Sequence, residues 1–213
     1  MATLGRMADS VRKAIQVLDL FSVERPDLGP SEVAVALGIA KSTAHGLLTE
    51  LAHAGLTERL PAGRYRLGWR TVGLARTMLA TSNMREEAVP LMRQLSWLFG
   101  ETVHLAARAG DSVVYVASER PPGGLSAPPG SPPADGSPLW RVLVGPERER
   151  LGDHGFLLAV QRNLENAACA VAPVDASHAI ALCASRERVA ARGDEYGRKV
   201  AGVARRLRHA VRS

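Results

Sequence analysis

The stretch KSTAHGLLTELAHAG, residues 41–55, decides the fold of the N-terminal part of this chain. Its apolar residues recur at i, i+3, i+4 and i+7, the spacing of one face of an α-helix; they are Ala44, Leu47, Leu48 and Leu51. The opposite face carries Ser42, His45, Gly46 and Thr49. A glycine inside a helix costs about 1 kcal/mol relative to alanine. The outward face that contains Gly46 is therefore the part of the helix whose role needs an explanation.

The segment before this helix predicts a helix-turn-helix. In SEVAVALG, residues 31–38, Ser31 suits an N-cap, Glu32 favours the positive end of the helix dipole, and Gly38 suits a C-terminal cap. Only two residues separate Gly38 from the next helix. A connection this short makes the two helices cross steeply instead of lying antiparallel, which is the helix-turn-helix arrangement.

Two flanking segments extend this motif to a winged helix-turn-helix. Helical periodicity predicts another helix in residues 9–22, DSVRKAIQVLDLFS. Alternation of apolar and polar residues around a Pro-Ala-Gly turn predicts a two-stranded hairpin in residues 56–68, LTERLPAGRYRLG. We therefore assign residues 1–68 to a winged helix-turn-helix domain.

The remainder of the chain predicts a mixed α and β domain. We expect a linker helix at residues 69–83 and assign residues 84–213 to the second domain, which starts with a capping box between Asn83 and Glu86. Residues 121–138 hold 7 of the 13 prolines and predict an irregular loop. The expected elements are a helix at 83–100, a hairpin at 101–119, an amphipathic segment at 139–145, strands at 155–161, 167–174 and 178–185, and a helix from Glu187 onward.

Composition and charge restrict the class of protein. The net charge of +6 is only a weak indication of a polyanionic partner, but between Arg59 and Arg76 the chain has five arginines and no acid. No run of about 18 apolar residues occurs, so we expect no membrane span. The N-terminus lacks the apolar core of a signal peptide, and two cysteines do not make a disulfide framework. We therefore expect a cytoplasmic protein.

The outward face of residues 41–51 has the chemistry of a DNA-recognition helix. Short hydroxyl groups and an imidazole can contact phosphates or base edges in the major groove, and the arginines of the hairpin can contact the flanking backbone. Each feature has a second interpretation, because hydroxyl residues also cap helices and an arginine-rich hairpin is also a solvated edge. The predicted DNA contacts are Ser31, Lys41, Ser42, Thr43, His45, Gly46, Thr49, Arg59, Arg64, Tyr65 and Arg66.

Taken together, SVRKAIQVLDLFS, SEVAVALGIAKSTAHGLLTELAHAGL, GRYRLG and GETVHLAARAGDSVVYVASE resemble the IclR family of bacterial transcription regulators. The resemblance implies an α+β protein in which a winged helix-turn-helix is joined by a linker helix to a GAF- or profilin-like effector domain. It implies homodimers, or dimers of dimers, that bind double-stranded DNA. It also implies a small organic acid effector, whose candidate contacts are Leu125, Leu139, Cys169 and Cys183. For Cys169 a buried small apolar role is the alternative.

Two departures from the family pattern affect these expectations. The family helix usually has an arginine after its histidine, where this chain has Gly46, so we expect DNA binding with altered specificity. The stretch between residues 119 and 167 is short for the family's further strand and helices, so the effector domain looks truncated and effector binding is doubtful. The alternative function is a protein-interaction module. We expect no enzyme, cofactor or metal site, because the histidines and cysteines lack metal-ligand spacing and no nucleophile or phosphate motif is present.

Overall fold

The computed structural model describes residues 2–122, 129–133, 136–147, 151, 154–161 and 166–211, with side chains from residue 9 onward. The chain divides into two compact units, Met1–Thr81 and Ser82–Ser213. Each unit contains helices and an antiparallel sheet, which confirms the α+β class. Within this described part, no helix combines the length and apolar character needed to cross a bilayer.

The first unit contains four helices and a small sheet among its described residues. The helices are α1 (Ala2–Asp19), α2 (Pro30–Leu37), α3 (Lys41–His53) and α4 (Arg70–Ala80). The strands are β1 (Asp27–Leu28), β2 (Thr57–Arg59) and β3 (Tyr65–Leu67). They form an antiparallel sheet in the order β1-β3-β2, and a short 3-10 turn at Pro61–Gly63 joins β2 to β3. This is the predicted winged helix-turn-helix with one additional strand.

A buried cluster fixes the crossing of α2 and α3. Val17 of α1, Val33 of α2 and Leu48 of α3 are fully buried in it, and Ile39 packs against it from the turn. Gly38 ends α2 with a φ of 62°, a left-handed conformation that glycine adopts without a Cβ clash. The turn therefore holds the apolar back of α3 inside the unit and leaves its opposite face outside.

The second unit is a five-stranded antiparallel sheet with helices on both faces. Its helices are α5 (Asn83–Phe99), α6 (Pro138–Leu143) and α7 (Arg186–Ala210). Its strands are β4 (Thr102–Ala109), β5 (Ser112–Glu119), β6 (Leu157–Val160), β7 (Ala167–Pro173) and β8 (His178–Ser185), in the order β5-β4-β8-β7-β6. Helices α5 and α7 pack on one face of the sheet and α6 packs on the other.

Most predicted elements are confirmed, with three local differences. Helix α2 has Gly29 as its N-cap, so Ser31 lies in its first turn, and α5 is capped by the Ser82 hydroxyl instead of Asn83. Strand β1 was not predicted. Between β5 and Ala167 the described residues contain only α6 and β6, where the family resemblance implies another strand and several helices.

Candidate nucleic-acid interface

Helix α3 presents the polar face that its sequence predicts. Lys41, Ser42 and Thr43 in the first turn and His45 in the next are exposed, whereas Ala44, Leu48 and Leu51 on the other side are buried. Because the buried side chains anchor the helix within the unit, the exposed face is held in a fixed orientation. The first turn contains no acid, so the positive end of the helix dipole stays uncompensated there.

Gly46 leaves a gap on this exposed face. A Cβ atom placed on Gly46 would meet no atom within 4 Å apart from the helix backbone and chain neighbours. Its φ does not lie in the left-handed region either, so neither sterics nor backbone conformation requires glycine here. The face is therefore bare at this position, and a longer side chain fits without rearrangement.

Tyr65 does not belong to the exposed surface, which corrects its prediction as a DNA contact. The residue is only 1% exposed and lies in the core cluster of the first unit. Its hydroxyl group lies 3.3 Å from the Thr49 hydroxyl of α3, which is half-buried. Residues alternate across a strand, so the neighbours Arg64 and Arg66 point outward while Tyr65 points inward. Tyr65 and Thr49 thus connect the wing strand to α3.

Arg64 also differs from its predicted role as a free phosphate contact. Its guanidinium donates through Nε to the Asp27 carboxylate, through Nη1 to Glu32 Oε2 at 2.9 Å, and through Nη2 to the Asp27 carbonyl at 2.8 Å. The two carboxylates come from β1 and from the first turn of α2. Arg64 therefore holds the hairpin of β2 and β3, the wing, against the helix-turn-helix. The carboxylates of Asp27 and Glu32 largely neutralise its charge.

Glu32 completes this brace from the α2 side. Its Oε2 accepts a hydrogen bond of 2.6 Å from the Gly29 backbone N–H. This bond and the Arg64 guanidinium lower the pKa of the Glu32 carboxyl, with the backbone bond as the larger cause. Glu32 at the start of α2 is therefore stabilised in two ways, by the capping hydrogen bond from Gly29 and by the ion pair with Arg64.

The other wing arginines are more available. Arg66 pairs across the strands with Glu58, whose Oε2 lies 2.9 Å from Arg66 Nη2, and both side chains are about half exposed. The Arg59 side chain is exposed and makes no side-chain hydrogen bond or ion pair with any residue that the structure describes. The Lys41 side chain at the start of α3 is also exposed and makes no side-chain hydrogen bond or ion pair with the described residues. On the surface formed by α3 and the hairpin, uncompensated positive charge is therefore carried by Lys41 and Arg59 more than by Arg64.

Three of the four candidate effector contacts come together in the second unit. Leu139 of α6, Cys169 of β7 and Cys183 of β8 share one apolar cluster on the α6 face of the sheet. Leu125 lies outside the described residues. Cys169 and Cys183 stand directly opposite each other on neighbouring strands, with Cα atoms 4.1 Å apart, and form a disulfide. No local pattern predicts this pair, because only the register between β7 and β8 brings the two cysteines together.

The same face carries buried polar groups that sequence reasoning missed. The His104 ring is 5% exposed, and its Nδ1 lies 2.8 Å from the Ser118 hydroxyl. Burial lowers the pKa of His104 to about 4, so the imidazole is neutral at pH 7. Gln161 places its Oε1 3.3 Å from Cys169 Sγ and hydrogen-bonds Tyr115, whose pKa is raised by burial. Strand alternation was the signal that could have placed His104 on this face.

Besides the buried His104, the arrangement of the acidic and potentially metal-ligating side chains determines which chemistry the described residues can perform. Among the residues that the structure describes, no group of three His, Cys, Asp or Glu side chains is arranged to hold a metal ion. Glu101 is the only buried carboxylate in that part of the chain, and its partners are Arg188, at 2.8 Å, and the Tyr196 hydroxyl. Burial raises the pKa of Glu101, and Arg188 partly offsets this shift.

Comparisons with known proteins agree with the helix-turn-helix geometry. The IclR helix-turn-helix domain matches residues 10–61. The HTH-type transcriptional regulator XynR of Escherichia coli is 34% identical over 108 residues, which are 50% of this chain and 43% of that protein. This chain spans less than half the length of the curated relatives that it matches.

Two solved structures share the fold along nearly the whole chain. An IclR family transcriptional regulator from Brucella abortus has a TM-score of 0.82 at 20% identity, and the match covers 95% of this chain and 92% of that one. An IclR homolog from Microbacterium hydrocarbonoxydans, complexed with 4-hydroxybenzoate, has a TM-score of 0.69 at 20% identity and covers 94% and 99%. The chain thus contains an IclR helix-turn-helix domain at residues 10–61 and shares its fold with structures of IclR family regulators.

Proposed function

We propose that this chain is a DNA-binding transcription regulator whose helix α3 enters the major groove of operator DNA. The observation that carries the proposal is the exposed polar face of α3, which is anchored from behind by buried leucines. An α-helix fits the major groove, where hydroxyl and imidazole groups contact phosphates or base edges. The relatives that match this domain are named as transcription regulators.

The proposed contacts follow from exposure and pairing. Thr49, Arg64 and Tyr65 position α3 and the wing without being principal contacts, because their polar groups are already engaged. Gly46 allows the backbone of α3 to approach the groove closely. The direct contacts are Ser31, Lys41, Ser42, Thr43, His45, Gly46, Arg59 and Arg66.

Selection from a random duplex library, followed by affinity measurements over a salt series, tests this function. Operator binding should enrich a defined sequence, and its affinity should fall steeply with salt because phosphate contacts release counterions. Enrichment of no sequence, together with salt-independent binding to proteins, would favour the alternative of a protein-interaction module. The absence of a long basic side chain at position 46 is the feature that keeps this alternative open.

We also propose that the active form is a homodimer, or a dimer of dimers, paired through the first unit. Helix α4 and the residue before it expose large apolar side chains, and α1 exposes two more. An isolated unit rarely leaves so many apolar groups in water, so a second copy is the expected cover. The exposed residues are Val11, Ile15, Trp69, Val72, Leu74 and Met78.

For the second unit we propose that no small carboxylic acid binds tightly. A bound carboxylate needs a cation or several N–H donors, yet no lysine or arginine is buried among the described residues, and His104 is neutral. Thermal-shift measurements with 4-hydroxybenzoate and other aromatic and aliphatic acids test this. Clear stabilisation by one acid would overturn the proposal, because a ligand that binds the folded state raises its stability.

Neither catalysis nor a cofactor is part of the proposal. The proposed partners are double-stranded DNA and a second copy of the chain. We place the protein in the cytoplasm, where bacterial operator DNA is found.

A further inference from the structure

An open groove runs between α5 and α7 on the outer side of the second unit, away from the α6 face. Its volume is about 320 Å³. Its apolar part comes from Leu91, Leu95, Leu98 and Val203, and its polar part from Gln94, Arg198, Lys199 and Arg206, with Gly202 between them. The groove belongs to neither the proposed DNA surface nor the effector face.

The apolar part of the groove is a second helical stripe on α5. Leu91, Leu95 and Leu98 are spaced by four and three residues, so they lie along one side of the helix. Leu95 is buried and forms the floor, whereas Leu98 is 62% exposed. A leucine exposed to this extent beside a buried one leaves apolar surface of the stripe in water, which is typical of a surface that another molecule covers.

The charged residues that line the groove are all basic. Arg198, Lys199 and Arg206 are exposed, and no carboxylate is among the residues that line the groove. The nearest acid on α7 is Glu195, whose carboxylate pairs with Arg192 at 2.9 Å and also interacts electrostatically with Arg198 and Lys199 from outside the lining. A partner seated in the groove therefore meets three positive charges beside an apolar floor.

Gly202 makes the groove accessible to another backbone. A Cβ atom at this position would approach only the Arg205 guanidinium, at 3.9 Å, so the floor is open at Gly202 for lack of a side chain. Helices that pack closely against each other use such small residues at the point of contact. The feature suits a helix lying along the groove better than a flat surface.

From these observations we propose that the α5–α7 groove binds an acidic amphipathic helix of a partner protein. Apolar residues of the partner at i, i+3, i+4 and i+7 fill the leucine-lined floor, and its acidic residues pair with the basic rim. Charge complementarity selects this occupant: DNA phosphates do not use an apolar floor, and a basic helix is repelled by the rim. The site is independent of the proposed DNA-binding function.

A fluorescein-labelled helical peptide with leucines at i, i+3, i+4 and i+7 and glutamates at the other positions is a direct probe. A matched peptide has lysine in place of every glutamate. Fluorescence anisotropy with the full chain should show the acidic peptide binding at least about 10-fold more tightly than the basic one, a difference of about 1.4 kcal/mol. Equal binding of the two peptides, or no binding of the acidic one, overturns the proposal.

Variants of α7 separate the groove from general electrostatics. The double change Arg198→Glu and Lys199→Glu should weaken acidic-peptide binding by about 10-fold or more, whereas Arg186→Glu, an exposed residue at the start of the same helix and outside the lining, should weaken it by less than about 3-fold. Gly202→Leu fills the floor without changing charge and should also weaken binding. Equal losses in the groove and control variants contradict the site.

Two further results would assign the groove to another occupant and so overturn the proposal. One is a change in oligomeric state, measured by light scattering, that accompanies the Arg198→Glu and Lys199→Glu change, because the groove is then covered by a second copy. The other is a loss of duplex affinity in that variant, because the basic rim is then a phosphate surface. Unchanged oligomeric state and unchanged duplex affinity are the expected results.

Discussion

Buried His104 makes the second unit sensitive to acid. Its pKa is lowered from 6.5 to about 4 by burial, so the unfolded chain binds more protons than the folded one between these two values. The contribution of neutral His104 to stability is therefore fully present above pH 6.5 and is lost as pH falls towards 4. Once the pH is well below 4 the loss amounts to roughly 3–4 kcal/mol, since one pKa unit corresponds to about 1.4 kcal/mol.

The variant His104→Gln tests this assignment, because glutamine retains a partner for Ser118 and has no titrating ring. Denaturant unfolding at pH 7 and pH 4.5 should show a smaller loss of unfolding free energy in the variant than in the parent chain. His45→Gln, on the exposed face of α3, is the control for the substitution itself. Parallel pH profiles for His104→Gln and the parent would contradict the assignment.

At the residue scale, the exposed face of α3 could be predicted from the sequence, whereas the contacts of Tyr65 and Arg64 were not predicted. The exposed side of α3 was predictable from periodicity, since Ala44, Leu48 and Leu51 are buried as their spacing requires. Tyr65 was misassigned although strand alternation between Arg64 and Arg66 already indicated that it points inward. The pairing of Arg64 with Asp27 and Glu32 joins residues 37 and 32 positions apart, and no local pattern reveals such a contact.

At the scale of the elements, we expect two arginines of the hairpin to have different roles: Arg64 holds the hairpin in place, and Arg59 contacts DNA. If Arg64 is a brace, Arg64→Gln weakens duplex binding by loosening the wing, but the slope of log Kd against log salt changes little. Arg59→Gln removes an unpaired charge and should reduce that slope by about 1. Affinity measured over a salt series for both variants distinguishes the two roles.

A second variant tests whether Arg64 acts through its ion pairs within the unit. Asp27→Asn removes one partner of Arg64 and should reproduce the effect of Arg64→Gln on binding, although it adds no contact to a duplex. Both variants should lower the unfolding free energy only slightly, because the ion pairs are partly exposed and screened by solvent. A slope reduced in Arg64→Gln but unchanged in Asp27→Asn would restore Arg64 as a phosphate contact.

Within α3, Gly46 offers a gain-of-function test. Arginine at this position meets no obstacle and has a higher helix propensity, so Gly46→Arg should raise the unfolding free energy by up to about 1 kcal/mol. The long basic side chain should also strengthen binding to a subset of sequences by contacting guanine or phosphate. Selection from random duplexes reports the second effect.

Gly46→Ala is the matched control for this test. It should bring a similar gain in stability without a new DNA contact, so any affinity gained only by the arginine variant comes from its side chain. If the arginine variant binds every duplex as the parent does, the outward face of α3 does not enter the groove.

The elements themselves were largely predictable because local signals agree with the tertiary contacts. Helices α1 to α5 and the two hairpins follow from periodicity and from glycine caps such as Gly38 and Gly100, both with left-handed backbone. Strand β1 was missed because a two-residue strand has no periodicity, and it exists only through pairing with β3. The groove between α5 and α7 arises from packing around the sheet, which no single element encodes.

On the scale of the whole molecule, the proposed pairing of two copies depends on the exposed apolar side chains of helix α4. Leu74 and Met78 are one turn apart on α4 and more than half exposed, and the side chain of Trp69, just before the helix, is 80% exposed. The double change Leu74→Glu and Met78→Glu introduces charge into this surface without touching a buried residue, so each copy should still fold. Light scattering should then show a monomer where the parent chain forms a dimer.

Loss of pairing should have a defined consequence for DNA binding. Two copies bind a palindromic operator through two half-sites, so a dimer gains effective concentration at the second half-site that a monomer lacks. The Leu74→Glu and Met78→Glu chain should therefore lose affinity for the full operator by about 100-fold or more while keeping the parent's affinity for a single half-site. The change Trp97→Glu, an exposed apolar residue of the second unit, is the control and should leave both affinities unchanged. A monomeric parent chain, or equal losses on the half-site and the full operator, would show that α4 does not mediate the pairing.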